Sequence, residues 1–353
     1  MAMVTESDKT GILNSLELAF LHARRGNISD SESIVRDVRS VMPIENFPLA
    51  AIKAIFVEGV IAGYRCDWPT AIDRLSRARS LSKVHGNREL ELQVLAWIAF
   101  VEFNQNRLAE AATFSVEVLK NRNLLDVHTV CRAALVLASL YQLIDDRHSA
   151  ENWFQFAKRA SEQLGETALT SVIIFDAAVI RVSVERFNRY LDIGASRDLD
   201  LELLFVRSAI NFDAASKVVI LAPFHNLLHG QLLNLRAEYV DALTVLSPLL
   251  ESDVDLSPMI RAQGVLESLW SRSNMDTENL TCQHLDDEVS CLELLVDDDD
   301  QAIACWMFSR MYERLGDDSK SKTFDVKSRS ACERYLQWRG QFSGDLKRIA
   351  EGL

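Results

Sequence analysis

Glycine and proline are scarce in this sequence. Thirteen glycines and six prolines among 353 residues are too few for an all-β protein, which needs a turn about every ten residues, or for a low-complexity chain. Hydrophobic residues make up 48% of the chain and charged residues 25%, so the chain can bury a full core and is not of the disordered class. The composition predicts an ordered, soluble, helical protein.

Positive charge is also in short supply. The chain has 38 lysines and arginines against 51 aspartates and glutamates, which gives a net charge of −13. Nucleic acids and anionic membranes attract proteins of the opposite sign. We therefore expect no nucleic-acid partner and no membrane partner.

Cysteine pairs and long apolar runs are missing. The six cysteines show no CxxC pair and no zinc-site or disulfide spacing. The longest apolar run covers only residues 94–101, and the polar amino terminus lacks the features of a secretion signal. Reduced core thiols in a cytoplasmic protein are predicted.

Catalytic signatures are missing as well. No GxGxxG, GxxxxGK, GxSxG or HExxH string occurs, so we predict a non-enzymatic protein without cofactor or metal. A catalytic pair assembled from distant residues stays open.

Two sets of residues have some features of a metal site. His225 and His229 have metal-ligand spacing, but no third ligand is evident. The acidic run 297–300 lacks the glycine and alternating ligands of a calcium loop, which favours a solvated loop between helices.

What the sequence does contain is a repeated pattern: a small residue, a large residue three positions later, a turn, and a helix that carries alanine. The small residue lets two antiparallel helices approach closely. The second helices are marked by Ser31, Ala71, Ala111, Ala150, Ala242 and Ser321. The first four markers are about 40 residues apart and the later gaps are near multiples of that period, so two hidden units are predicted at about 167–217 and 259–295.

This pattern resembles that of the tetratricopeptide-repeat family, most closely at Ala138, Tyr141, Ala150, Phe154 and Ala157. The units depart from the family in their period, which is about 40 rather than 34 residues, and in lacking its closing proline. The longer units are similar to those of bacterial regulatory repeat proteins. The resemblance implies an all-α fold: a right-handed superhelical solenoid of about eight antiparallel helix pairs.

Three segments are expected along the chain. Residues 1–10 are predicted to be disordered. The repeat array covers 11–337, with an irregular joint at about 167–222, where the alanine markers are missing. A break near Gly340 to Gly344 separates a capping or dimerisation helix at 338–353, whose apolar stripe contains Leu346, Ile349 and Leu353.

Function is expected on the concave surface, which the first helices of successive pairs line in helical solenoids. A groove with aromatic anchors and polar edges suits a peptide or an amphipathic helix. Its predicted partner-binding residues are Lys53, Phe56, Val60, Tyr64, Trp97, Phe100, Asn104, Arg132 and Gln142. Burial between neighbouring helices remains an equally weighted alternative for each aromatic residue.

The sequence therefore predicts an adaptor, scaffold or regulatory protein that binds a protein or peptide. The alternative is a sensory or dimerisation module of a signalling protein, such as a diguanylate cyclase or a peptide-responsive regulator, with its output domain elsewhere. Family members that clamp the tail of heat-shock chaperones carry lysine and asparagine on the first helix, which argues against that role. The corresponding residues here are Leu16 and Phe20, or Phe56 and Val60 if the count starts one unit later. A basic stretch from Arg74 to Arg88 suits an acidic partner or a solvated outer face.

Overall fold

A computed structural model describes residues 6–41, 47–164, 167–194, 198–216, 221–251, 258–275, 280–295 and 297–353. These residues form sixteen α-helices and two short 3-10 helices, Arg122–Leu124 and Val289–Leu294, and contain no strand. The α-helices are α1 (Glu6–Arg24), α2 (Ile28–Val41), α3 (Pro48–Tyr64), α4 (Trp68–Val84), α5 (Arg88–Asn104), α6 (Leu108–Lys120), α7 (Val127–Leu143), α8 (Arg147–Leu164), α9 (Thr167–Tyr190), α10 (Leu199–Ser216), α11 (Ala222–Leu235), α12 (Tyr239–Glu251), α13 (Pro258–Asn274), α14 (Cys282–Glu288), α15 (Asp298–Arg314) and α16 (Asp318–Ile349). The all-helical prediction is confirmed.

Consecutive helices pack on one another, as a helical repeat requires. Helix α1 packs on α2, α3 on α4, α5 on α6, and α11 on α12. The odd-numbered helices also contact each other in sequence, α1 with α3, α3 with α5, α11 with α13, and α13 with α15. Helices α9 and α10 occupy the first stretch where the repeat pattern was hidden, and α13 and α14 occupy the second.

One turn closes the first helix of most pairs. A residue in the left-handed backbone region follows each of these helices, with φ between 57° and 83°: Gly26, Cys66, Asn106, Asp145, Ala237 and Gly316. Each lies five residues before one of the markers found in the sequence. The next residue donates its N–H to the carbonyl five positions earlier, as from Asp67 to Ala62 at 3.0 Å. This hydrogen bond belongs to the Schellman motif, which satisfies the last carbonyls of a helix.

The small residues mark close helix contacts. A Cβ atom added to Gly59 of α3 would lie 2.8 Å from Cγ of Leu75 on α4. One added to Gly230 of α11 would lie 2.6 Å from Cγ of Leu246 on α12. Both leucines are fully buried, so neither can move aside easily. In these two pairs, the repeated small residue therefore allows the two helices to approach closely.

Substituting Gly59→Ala is expected to lower the free energy of unfolding by about 1–2 kcal/mol, because overpacking a core outweighs the gain in helix propensity. The matched control is Gly63→Ala on the same helix, where the nearest atom to an added Cβ is 3.9 Å away. That change should leave stability equal or higher. Urea unfolding of both variants, followed by circular dichroism, makes the comparison; equal stability of the two variants would contradict the close-contact explanation.

The two chain ends differ from the prediction. Residues 6–10, expected to be disordered, form the start of α1, while residues 1–5 lie outside the described residues. The break expected near Gly340 and Gly344 is absent, because α16 runs without interruption from Asp318 to Ile349. Leu346 of the supposed dimerisation stripe is fully buried within the single chain, so it is not an exposed contact for a second copy.

The chain divides into two compact units. Unit 1 consists of Met1–Tyr141, Arg147–Ile173 and Asp345–Leu353, and unit 2 of Gln142–Asp146 and Ile174–Gly344. Among the helices described, none combines the length and the apolar character that crossing a membrane requires.

Candidate functional site

A cavity of about 320 Å³ lies among the first helices of the pairs in unit 1. Its lining comes from α1, α3, α5, α7 and α9, together with Arg25 directly after α1 and Asp126 directly before α7. The lining residues are Leu16, Glu17, Phe20, Leu21, Arg24, Arg25, Lys53, Phe56, Val57, Tyr64, Leu90, Gln93, Trp97, Asp126, His128, Thr129, Arg132, Thr167, Leu169 and Val172. The even-numbered helices contribute none of these side chains.

Four aromatic residues form one wall of this cavity, and we call them the aromatic wall: Phe20, Phe56, Tyr64 and Trp97. The ring centroids of Phe20 and Phe56 are 5.1 Å apart, and Trp97 meets Phe20 at 6.1 Å and Tyr64 at 5.5 Å. The two contacts of Trp97 are edge-to-face, which aromatic quadrupoles favour. The wall is thus a mutually packed apolar surface.

Arg132 of α7 stacks on this wall. Its guanidinium carbon lies 3.6 Å from the centroid of the Trp97 ring and 5.2 Å from that of Phe100. The residue is only 8% exposed. Within the described part of the chain, its guanidinium makes no hydrogen bond and has no carboxylate partner. A buried guanidinium therefore lines the cavity, and the described residues accept no hydrogen bond from its N–H donors.

The two carboxylates of the cavity lining are already engaged. Glu17 forms an ion pair with Lys53. Asp126 accepts hydrogen bonds from Gln93 Nε2 at 3.1 Å, and from the backbone N–H and Oγ1 of Thr129 at 3.0 and 2.6 Å. Four basic side chains line the cavity against these two acidic ones. The cavity is therefore locally cationic in a chain of net charge −13.

The structure brings five of the nine predicted groove residues to the cavity: Lys53, Phe56, Tyr64, Trp97 and Arg132. Val60 is fully buried in the core of unit 1. Phe100 packs its ring against Trp97 at 5.9 Å, and the exposed Asn104 donates to the Phe100 carbonyl at 2.8 Å. Gln142 is buried and belongs to unit 2. Phe100, Asn104 and Gln142 do not line the cavity.

Sequence reasoning missed the contribution of α1. Leu16, Phe20 and Arg24 line the cavity from this helix, and their spacing of four residues places them on one helical face. Arg24 lies 4.8 Å above the Phe20 ring. That spacing was visible in the sequence, but α1 belongs to the weakest copy of the repeat, so its face could not be aligned with those of α3 and α5.

Three arginines of the basic stretch contact carboxylates of the same unit: Arg74 and Arg79 on α4, and Arg88 at the start of α5. Arg88 contacts Glu91 at 2.8 Å and Glu117 at 2.9 Å. Arg79 lies within 3.9 Å of the same two glutamates, and Arg74 lies 3.8 Å from Glu58. These three cations are therefore neutralised within the fold, unlike Arg132.

In unit 2 the odd-numbered helices are linked by a buried polar network. Arg186 of α9, 2% exposed, forms an ion pair with Glu267 of α13 and lies 3.6 Å from Asp300 of α15. Asn234 of α11 donates to Glu267 Oε2 at 2.8 Å, and Gln263 of α13 donates to Asp300 at 2.8 Å. Arg186 thus has carboxylate partners, whereas none of the described carboxylates contacts Arg132.

The histidine pair makes separate contacts. His225 Nε2 lies 2.7 Å from Asp213 Oδ2, with both side chains buried. Burial lowers the pKa of His229 below its usual value. No group of three potential metal-ligating side chains occurs in the described ranges.

The acidic run is not a solvated loop, which corrects the prediction. Asp297 is the N-cap of α15, and the next three aspartates form its first turn. Desolvation, reinforced by the neighbouring aspartates, raises the pKa of Asp297 to about 6 and that of Asp299 to about 8.

Comparison with protein-family models gives no match for this chain, and comparison with curated proteins gives none either. The cavity of unit 1 is the feature from which a function can be inferred.

Proposed function

We propose that this protein binds a peptide segment of a partner protein in the cavity of unit 1 and acts by binding alone, as an adaptor, scaffold or regulator. The observation that carries the proposal is the lining: five successive odd-numbered helices supply it. In helical arrays, the repeated helices that face one side form the ligand surface. Aromatic side chains beside a few polar groups are typical of peptide-binding sites.

The size of the cavity supports a peptide segment rather than a whole domain as its occupant. A volume of about 320 Å³ is at the lower end of ligand pockets, which span about 300–1,000 Å³. It accommodates a few side chains. We therefore propose that a small number of anchors on the aromatic wall provides most of the affinity.

The proposal extends to architecture and compartment. The recurring left-handed turn and the packing of α1 on α3 and α3 on α5 support a tetratricopeptide-like superhelical array. The cysteines are all free thiols, and Cys131, Cys291 and Cys305 are buried. Free thiols fit a reducing cytoplasmic environment.

A cavity-filling pair of variants tests the site. Leu21→Trp places a large side chain at the cavity lining, whereas Leu18→Trp makes the same change on the same helix at a residue that is 47% exposed. Peptides are first selected against the full chain from a randomised display library. We expect Leu21→Trp to weaken their binding by about tenfold or more, a cost of about 1.4 kcal/mol, and Leu18→Trp to leave it unchanged.

Circular dichroism melting checks that both tryptophan variants fold, and fluorescence anisotropy measures their affinities. If the selected peptides bind Leu21→Trp as tightly as they bind the unchanged chain, the binding site lies outside this cavity. A library that yields no binder would contradict the peptide-binding proposal.

A further inference from the structure

We infer that the ligand of the unit 1 cavity carries an anionic oxygen group, a carboxylate or a phosphate, which binds the Arg132 guanidinium while an attached apolar body packs on the aromatic wall. This inference rests on the proposed function and specifies the chemistry of the ligand. Its basis is a buried cation for which the described residues provide no acceptor.

Burial of Arg132 without an acceptor is unfavourable in the free protein. A guanidinium carries five N–H donors and a permanent charge, and removal from water is costly unless acceptors replace the lost hydration. Stacking on Trp97 at 3.6 Å offsets part of this cost through cation–π attraction. Stacking supplies no acceptor for the N–H donors at the edge of the guanidinium plane, and Arg132 lines the cavity.

Two other arginines of this chain show what a structural role looks like. Arg186 is buried like Arg132, but Glu267 and Asp300 surround it. Arg79 stacks on Phe114 at 5.3 Å, as Arg132 stacks on Trp97, but it also has Glu91 and Glu117 within 3.9 Å. Arg132 combines burial and stacking without a carboxylate, which is the arrangement expected of a ligand-binding arginine.

The surroundings of Arg132 favour an anion with an apolar body. Glu17 pairs with Lys53, and Asp126 accepts its hydrogen bonds from Gln93 and Thr129, so neither carboxylate is the partner of Arg132 within the described ranges. Stacking fixes the plane of the guanidinium, and its fork of donors matches the two oxygens of a carboxylate or phosphate. The aromatic wall adjoins this fork, so an apolar group attached to the anion reaches the wall without leaving the cavity.

The test follows the Nε–Hε resonance of Arg132 by NMR during titration of the full chain at constant ionic strength. The probes are benzoate, phenyl phosphate and the neutral analogue benzamide, and Arg132→Lys assigns the resonance by removing it. We expect a saturable shift with benzoate, phenyl phosphate or both, and no shift with benzamide at equal concentration. The tighter of the two anions identifies which anionic group the site prefers.

Two glutamine variants give the matched comparison. Arg132→Gln is expected to weaken binding of the preferred anion by about tenfold or more, the usual range for loss of a charged hydrogen-bond partner. Arg79→Gln, which removes a stacked arginine outside the cavity, should leave the affinity unchanged. The titration of the unchanged chain tests the inference even if Arg132→Gln fails to fold.

Three results would overturn the inference: no saturable shift with either anion, an equal shift with benzamide, or a shift of the Arg79 resonance as large as that of Arg132. Failure of the inference is distinguishable from failure of the proposed function. If display-selected peptides lack acidic groups and bind Arg132→Gln normally, the peptide-binding proposal stands and the anion site is ruled out. If benzoate shifts the Arg132 resonance but the library yields no peptide binder, the anion site stands and the peptide-binding proposal is ruled out.

Discussion

Replacing Arg186 with methionine is expected to lower the free energy of unfolding by about 3–5 kcal/mol, the cost of removing one partner from a buried ion pair. Arg186 and Glu267 are 2% and 0% exposed. Without the guanidinium, Glu267 would retain a hydrogen bond from Asn234 but would lose the charge that compensates its own. The energetic penalty therefore comes mainly from the carboxylate left behind, because methionine fills much of the volume of the arginine stem.

That origin of the penalty is testable with a second substitution. In Arg186→Met/Glu267→Gln the charge of Glu267 is removed as well, so part of the lost stability should return. Arg329→Met is the surface control, because Arg329 is 75% exposed in its pair with Asp325 and such pairs contribute about 0–1 kcal/mol. If urea unfolding shows Arg186→Met to be no less stable than Arg329→Met, the buried network does not stabilise unit 2.

The helix pairs could be predicted wherever the repeat markers occur, because the close contact and the turn impose residue types on the sequence. Gly59 lies seven residues before the left-handed Cys66, and the two positions together mark a pair. In α9 the equivalent position before the left-handed Asp192 is Glu185, which is buried and paired with Arg189. A charged residue in this place removes the sequence signal although the turn is kept, which is why this pair was hidden.

In α16 the sequence predicted a helix break that the structure does not have. Glycine costs a helix about 1 kcal/mol relative to alanine, so two glycines four residues apart suggested a break. Gly340 and Gly344 nevertheless lie inside the helix; Phe342 between them and Leu346 after them are buried. Burial of these two side chains stabilises the segment by more than the propensity lost, since a large apolar side chain contributes about 1.5–3 kcal/mol. Local propensity could not reveal this packing.

The cavity was predicted at the level of helices but only partly at the level of residues. Helical spacing identifies one face, and that face includes Phe56, Trp97 and Arg132. It does not distinguish Val57, which lines the cavity, from Val60, which is fully buried in the core. That distinction depends on how neighbouring helices rotate against each other, and rotation is set by side-chain packing between helices.

Raising the pH from about 5 to about 8 is expected to destabilise unit 2 through Asp299, by a free energy on the order of a few kcal/mol. Desolvation, together with the charges of Asp300 and Asp297, raises the pKa of Asp299 to about 8, whereas an aspartate in the unfolded chain has a pKa of about 3.9. Between these two values the folded chain keeps a proton that the unfolded chain has lost. The stabilisation is therefore complete below about pH 4 and disappears as the pH rises through about 8.

The substitution Asp299→Asn should remove the part of this dependence that comes from Asp299, because the amide resembles the protonated acid and does not titrate. We expect the variant to exceed the unchanged chain in stability at pH 8 and to match it more closely at pH 5, as measured by urea unfolding at both pH values. Asp298→Asn is the control for loss of a neighbouring negative charge, since Asp298 pairs with Arg334 at 2.8 Å.

A stability difference between Asp299→Asn and the unchanged chain that is equal at pH 5 and pH 8 would show that Asp299 does not carry the effect. Asp297, whose pKa is raised to about 6, still titrates in the variant, so a weaker dependence of stability on pH is expected to remain there. Whether stability rises or falls with pH distinguishes between two electrostatic effects on the carboxylates in the first turn of α15. A helix N-terminus stabilises a carboxylate by about 0.3–1 kcal/mol, which would make the protein more stable as Asp299 ionises. Desolvation and like-charge repulsion act in the opposite direction and are larger here, so stability should fall as the pH rises.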